Sequence, residues 1–90
     1  MPETTAMVSV CLHYWAGAKA AAGVERETVE AATVAEAMAA AARRHSDPGF
    51  ARILNVSSVL MENRVLRGDD LRQVLAVSVE VDVLPPFAGG

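Results

Sequence analysis

A chain of 90 residues has room for one small core, because single domains commonly run from roughly 50 to 200 residues. Its apolar fraction of 52% and charged fraction of 21% are typical of a globular protein and exclude a disordered one. Eleven acidic and eight basic residues give a net charge of −3, which argues against a nucleic-acid partner, since such partners require clustered lysine and arginine. A domain this small also has little volume for an enclosed active site, so catalysis by the chain alone is not expected.

Three features predict a cytoplasmic protein without a membrane partner. Residues 16–24 form the longest weakly polar run, and Lys19 interrupts it, so the roughly 20 apolar residues of a transmembrane helix are missing. Residues 1–6 contain Glu3 and lack the lysine or arginine that begins a secretory signal. Cys11 is the single cysteine, which rules out an internal disulfide and fits a reducing compartment.

Strands are indicated by apolar side chains that recur with a period of two. Residues 8–15 alternate in this way and predict a first strand whose buried face is formed by Val8, Val10, Leu12 and Tyr14. Residues 27–31 predict a weaker second strand, antiparallel to the first and at an edge of the sheet. Four valines alternate with polar residues over 77–83 and predict a half-buried last strand.

Two helices are indicated between these strands. Residues 16–22 are helix formers closed by Gly23, which predicts a short helix. Thr33 and Glu36 have the spacing of a capping box, in which the hydroxyl accepts from the third backbone amide and the carboxylate accepts from the cap amide. A helix is therefore predicted to begin at Val34. Its apolar stripe faces the sheet and consists of Val34, Ala37, Met38, Ala41 and Ala42.

The remaining segments complete the predicted architecture. Residues 47–49 are expected to end the second helix, and 50–54 to form a short turn over the core. Residues 56–61 and 65–66 predict a hairpin around a polar tip at 62–64.

Residues 69–76 fit either a helical turn, capped by Asp69 or Asp70, or an extension of the last strand. Together the elements predict one domain over residues 1–90 of the α+β class. Its mixed sheet is packed by one main helix, a roll with the element order of small β-grasp domains.

No catalytic or metal-binding group is indicated. His13 and His45 are far apart in the sequence; the first is expected to point outward from its strand, and the second to contact a helix end. The glycines do not have the spacing of a phosphate-binding loop, so any nucleotide would be bound by a partner.

Residues 1–6 and 85–90 are predicted to be tails, and the second differs most from the rest of the chain. It consists of Pro85, Pro86, Phe87, Ala88, Gly89 and Gly90. The prolines lack amide donors and fix φ, so the tail should leave the sheet as an extended arm of about 20 Å. The glycines have no Cβ, so the tip can enter a narrow channel. The functional group of such a tip is the Gly90 carboxylate, a nucleophile toward ATP; the alternative is a frayed terminus.

An apolar surface is expected near this tail. Leu60 and Leu84 are its candidate residues on the sheet, together with Phe87 of the tail. They would serve a docked partner, and they are equally compatible with ordinary core packing.

Over nearly its whole length, the sequence resembles the MoaD/ThiS family of β-grasp sulfur carrier proteins. The likeness rests on residues 10–17, on the alanine-rich turn ending at Gly23, on the helix start from Thr33 to Glu36, and above all on the ending VDVLPPFAGG. The proline pair, the aromatic residue and the final Ala-Gly-Gly are most similar to the molybdopterin-type carriers. Trp15 stands where the family usually has phenylalanine.

The resemblance implies roles for the tail and for partners. Gly90 would be adenylated by an E1-like enzyme that uses ATP, and would then be converted to a thiocarboxylate by a persulfide donor. The tail would enter the large subunit of molybdopterin synthase, in an expected heterotetramer, and would donate sulfur to cyclic pyranopterin monophosphate. The chain itself would bind no cofactor or metal, and would be a sulfur-donating subunit rather than an enzyme on its own.

Two alternatives stay open at this point. A carrier for another sulfur pathway, for thiamine, cysteine or thiolation, would keep the chemistry of the tail and change the acceptor. A ubiquitin-like modifier or interaction module would also use the tail, either in an isopeptide bond or without any chemistry.

Overall fold

The computed structural model describes residues 6–86, which contain five strands and four helices. In chain order they are β1 (Val8–Tyr14), α1 (Ala16–Ala22), β2 (Arg26–Ala31), α2 (Val34–Arg44), α3 (Pro48–Val56), β3 (Ser58–Met61), β4 (Arg64–Val65), α4 (Gly68–Leu71) and β5 (Val79–Leu84). Within this part of the chain, no helix has the length and apolar character needed to cross a membrane.

The strands form one mixed sheet in the order β2-β1-β5-β3-β4. β1 pairs with β5 in parallel, and the other neighbours pair antiparallel. β5, the last strand along the chain, therefore lies in the middle of the sheet, and β2 lies at an edge as predicted. This architecture confirms the predicted α+β fold, a ubiquitin-like β-grasp roll.

One face of the sheet is covered by helices and contains the core. Its fully buried side chains on the strands are Val10, Leu12, Tyr14, Val81 and Val83. The predicted stripe of α2 lies on this face: its alanines are small enough to let the helix approach the strands closely.

The cover is not a single helix, however. α3 replaces the short turn that was predicted after α2, and it buries Phe50 and Leu54. The ring of Phe50 meets the ring of Tyr14 edge to face, with centroids 5.3 Å apart.

Residues 47–49 were predicted as a helix stop, and they begin a helix instead. The Asp47 carboxylate accepts a hydrogen bond from the Gly49 amide at 2.9 Å, and Pro48 occupies the first turn. Proline is accepted there because the first-turn amides have no partner within the helix. α2 has already ended at Arg44, three residues before this cap.

The predicted hairpin is present, with a tighter turn and later start. Its turn has two residues, Glu62 and Asn63, with φ of 53° and 65°. Two successive residues with positive φ match the twist of the flanking strands, so Arg64 belongs to β4 rather than to the turn. Val56 was predicted in the first strand of the hairpin, and it lies in α3.

β5 begins two residues later than the valine alternation predicts. Val77 lies before the strand and is 66% exposed. At Ser78 the side chain, rather than the backbone, bonds to β1: its Oγ accepts a hydrogen bond from the Ser9 amide at 3.1 Å. Of the two alternatives for residues 69–76, the helical turn is correct: α4 includes Asp69 and Asp70.

The capping box of α2 is confirmed at one of its two bonds. The Thr33 hydroxyl accepts from the Glu36 amide at 3.0 Å, as predicted. The Glu36 carboxylate accepts from the amide of Ala32 at 3.2 Å, one residue earlier than the cap amide. Both bonds satisfy amides at the helix start that would otherwise lack partners.

We expect Thr33→Ala to lower the free energy of unfolding by about 1 kcal/mol, because the Glu36 amide loses its acceptor. Urea denaturation followed by circular dichroism measures this change. Thr33→Ser is the matched control, since it keeps the hydroxyl. Equal destabilisation by the two substitutions would contradict the capping role.

Candidate functional site

The root of the predicted tail is the point where the chain leaves the sheet at the end of β5. Leu84 ends the strand, and Pro85 and Pro86 follow outside it, as predicted. Proline has no amide donor, so the strand pairing cannot continue. The Trp15 amide donates to the Val83 carbonyl at 3.1 Å, so the root lies next to the junction between β1 and α1.

The remaining predicted tail residues, Phe87, Ala88, Gly89 and Gly90, lie outside the described residues. Their roles therefore stay predictions.

The two predicted surface leucines lie on the open face of the sheet, opposite the helices. Leu60 on β3 pairs with Asp82, and Ser58 pairs with Leu84 at the end of β5. Both leucines therefore lie on that face near the end of β5. Each is half-buried, and Val65 lies directly opposite Leu60 on β4. The structure thus places an apolar area beside the tail root, while the binding role of this area stays a prediction.

Acidic side chains also lie on this open face. Glu30, Glu80 and Asp82 lie on the open face of β2 and β5. Arg26 is the cation on this face of β1, β2 and β5, and its guanidinium is 3.0 Å from the Glu80 carboxylate. The face therefore carries negative charge as well as an apolar patch, with Asp82 beside Leu60, which suits a partner with basic and apolar residues.

Cys11 also lies on the open face, with its thiol 3.9 Å from the Glu80 carboxylate. Within residues 6–86, no group of histidine, cysteine, aspartate and glutamate is arranged to hold a metal ion.

Sequence reasoning missed a cluster next to the tail root. His13 lies between two carboxylates, with its ring nitrogens 3.5 Å from Glu25 and 3.3 Å from Asp82. The indole Nε1 of Trp15 donates to Asp82 at 3.0 Å, and the His13 and Trp15 rings are 4.3 Å apart. His13 was predicted to point outward; it does lie on the open face, but its neighbours leave it only 12% exposed.

A second polar cluster lies on the covered side and holds the helices to the sheet. Glu27 accepts from the Tyr14 hydroxyl at 2.6 Å, and its carboxylate is 3.0 Å from His45 and 3.4 Å from Arg44. His45 was expected to contact a helix end, and its backbone amide does cap α2 by donating to the Ala41 carbonyl at 3.3 Å. Its ring joins Glu27 and packs against Phe50, with centroids 4.4 Å apart.

Titration in this cluster follows from its geometry. Burial by itself raises the pKa of the Glu27 carboxyl, but hydrogen bonds from Tyr14, His45 and Arg44 outweigh burial and hold that pKa below its ordinary value. Burial, assisted by the bond to Glu27, raises the pKa of Tyr14 far above its ordinary value. Glu27 is therefore an ionised acceptor and Tyr14 a neutral donor.

We expect Glu27→Gln to lower the free energy of unfolding at pH 7 by about 1 to 3 kcal/mol, because charge-assisted bonds are lost. The folded pKa of Glu27 lies below the unfolded one, so its contribution is present above about pH 4.3 and is lost as the pH falls through the folded value. Urea unfolding measured between about pH 6 and pH 3 should thus depend less on pH in this variant.

Glu62→Gln, in the exposed hairpin turn, is the control and should follow the wild type at every pH. Wild-type and Glu27→Gln curves that stay parallel down to the lowest pH would show that Glu27 does not contribute in this way.

The order of the strands, the main helix across them and the central position of the last strand define the ubiquitin-like β-grasp class of small proteins. Among solved structures, small archaeal modifier protein 1 from Methanosarcina acetivorans is similar to the chain with a TM-score of 0.77 and 19% identity, covering 93% of this chain and 98% of that one. A putative molybdopterin converting factor subunit 1 from Pyrococcus furiosus gives a TM-score of 0.70 and 22% identity, covering 89% and 99%.

A third similar chain belongs to the complex of subunits 1 and 2 of the molybdopterin-converting factor from Helicobacter pylori, with a TM-score of 0.62, 18% identity and coverage of 91% and 99%. No family model matches the sequence, and no curated protein matches it. The structural matches confirm the resemblance to sulfur carriers at the level of the fold, which carriers and modifiers share.

Proposed function

We propose that this protein is a ubiquitin-like carrier that is activated at the carboxylate of Gly90. The observation that carries the proposal is the central position of β5, which leads straight into Pro85 and Pro86 at the edge of an open, apolar and acidic face. A rigid body that presents a proline-stiffened arm and a tip without side chains suits delivery of the tip into a partner's active site.

The proposed activation takes place in a partner enzyme. A Gly90 carboxylate oxygen attacks the α-phosphorus of ATP, pyrophosphate leaves, and an acyl-adenylate forms. The terminal sulfur of a persulfide then attacks the acyl carbon and AMP leaves, which gives an acyl disulfide. A second thiol of the partner attacks the sulfur of the donor cysteine, so that the S–S bond breaks, a disulfide forms on the partner and the thiocarboxylate is released. An E1-like enzyme supplies the nucleotide site and access to the sulfur donor, while this chain supplies the docking surface and the reactive carboxylate.

We further propose that the sulfur acceptor is cyclic pyranopterin monophosphate, bound by the large subunit of molybdopterin synthase. The similarity to molybdopterin-converting factor chains, one of them solved in a complex of two subunits, supports this acceptor and a partner subunit. The heterotetramer is what the family resemblance implies. The proline pair and aromatic residue before Ala88 support it from the sequence. Carriers for thiamine, cysteine or thiolation share the activation and differ in the acceptor.

A protein modifier is the second candidate function. The similarity to small archaeal modifier protein 1 supports it as directly as the other matches support a sulfur carrier. A modifier would share the acyl-adenylate, but a lysine amine would take the place of sulfur at the acyl carbon. The two functions therefore differ in the nucleophile that the activated carboxylate meets.

Mass spectrometry of the intact chain tests the activation. After incubation with an activating enzyme, ATP and a persulfide donor, we expect the protein to gain the mass difference between sulfur and oxygen. A variant with one alanine added after Gly90 is the matched control and should gain nothing, because its carboxylate is displaced from the tip that the enzyme binds.

Each other outcome has a definite meaning. Attachment to lysines of other proteins would select the modifier, and equal sulfur loading of the extended variant would refute the role of Gly90. Loaded protein that yields no molybdopterin with the large subunit and precursor would move the assignment to another acceptor.

Leu60→Asp should weaken docking to the activating enzyme, because it places a charge in the apolar area beside the tail root. We expect KM for the carrier to rise about tenfold while kcat changes little. Val56→Asp, an exposed apolar position on α3, is the control and should leave both constants unchanged. An unchanged KM for Leu60→Asp would remove this area from the docking surface.

A further inference from the structure

An open pocket of about 570 Å³ lies where β1 passes into α1. Its lining includes His13 at the end of β1, Trp15 after it, Lys19 and alanines of α1, and Val24 and Glu25 before β2. Its volume is within the range of roughly 300 to 1,000 Å³ found for ligand pockets. It is separate from the Leu60 and Leu84 area, which it adjoins through Asp82.

Trp15 forms a fixed aromatic wall of this pocket. Trp15 is 44% exposed, although its Nε1 donates to Asp82 at 3.0 Å and its ring packs against that of His13 at an angle of 36°. An exposed indole ordinarily loses rotamer freedom when a partner binds, which costs binding free energy. The hydrogen bond to Asp82 fixes the Trp15 side chain before binding, so this cost is smaller here. A preorganised aromatic face of this kind suits recognition rather than core packing.

The electrostatic character beside this wall is acidic. The Glu25 carboxylate is in the lining and is 57% exposed, and the Asp82 carboxylate, which accepts from the Trp15 indole, is 39% exposed. Lys19 is the strong cation among the lining residues and opposes them in part. Arg26 pairs with His13 in the sheet, and its guanidinium is 3.0 Å from the Glu80 carboxylate.

We propose that this pocket accepts an arginine side chain of a partner protein. The aliphatic stem of arginine would lie along Val24 and the α1 alanines, and the planar guanidinium would stack on the Trp15 face and donate to Glu25. A lysine ammonium lacks the planar donor fork for this combination, and an anion would meet the carboxylates of Glu25 and Asp82.

The position of the pocket gives the contact a consequence. The Trp15 amide donates to the carbonyl of Val83, near the end of β5. An arginine held against Trp15 would therefore anchor the partner at the root of the tail. The inference uses residues between β1 and the start of β2, together with Asp82 and Val83 of β5, and it holds whether or not Gly90 is activated.

Trp15 is the single tryptophan of the chain, so its indole N–H signal in a ¹H–¹⁵N NMR spectrum reports on the pocket without ambiguity. We expect N-acetyl-arginine amide, titrated at constant ionic strength, to shift this signal with saturation, and N-acetyl-lysine amide to bind about threefold more weakly. Glu25→Gln should weaken arginine binding about threefold. Glu30→Gln, an exposed carboxylate elsewhere on the open face, should not change it.

Lys19→Gln provides a second, opposite test. It removes the opposing cation, so arginine binding should become about twofold tighter while the rest of the spectrum stays the same. The proposal is overturned if the indole signal does not saturate with the arginine probe, if N-acetyl-norvaline amide shifts it equally, or if N-acetyl-aspartate amide binds and loses affinity in Lys19→Gln. The norvaline result would assign the pocket to an apolar group, and the aspartate result would assign it to an acidic group.

Discussion

The parallel pairing of β1 with β5 is the constraint on which the rest of the structure depends. It places the last strand in the middle of the sheet, where Val81 and Val83 are fully buried. The same pairing sets Asp82 beside His13 and aligns Val83 with Trp15, so the core and the open-face cluster share one register. A slip of one residue would exchange the two faces of β5 and lose both at once.

The covered side depends in turn on one carboxylate. Glu27 is an acceptor for groups from β1, from the end of α2 and from the residue that follows it, where the apolar packing of the core gives way to solvent. Arg44 also donates to the Thr28 carbonyl at 3.2 Å, which occupies a backbone acceptor on the edge strand. An edge with its acceptors occupied is a poorer template for pairing with another chain.

Local patterns in the sequence predicted the elements with strong alternation or a strong cap, because those signals lie within a few residues of each other. β1, α1 and the start of α2 are examples. The start of α3 was missed because Pro48 and Gly49 are found both after the end of a helix and at the start of one. Asp47 selects the helix start, because its carboxylate accepts from the Gly49 amide as an N-cap. The His13, Trp15 and Asp82 cluster could not be predicted, since Trp15 and Asp82 are 67 residues apart and only the sheet register joins them. The one local sign of this cluster in the sequence was Trp15, a large aromatic residue in the set of strand positions predicted to face outward.

The central position of β5 also bears on how the protein is made. Val10 pairs with Val79, so the middle of the sheet stays empty until nearly the whole domain has emerged from the ribosome. At synthesis rates of roughly 5 to 20 residues per second, the β1–β2 pair and α2 wait several seconds without their main apolar neighbour. The nascent chain is thus exposed to chaperones and proteases during that interval, and its final segment becomes available to other proteins just as folding becomes possible.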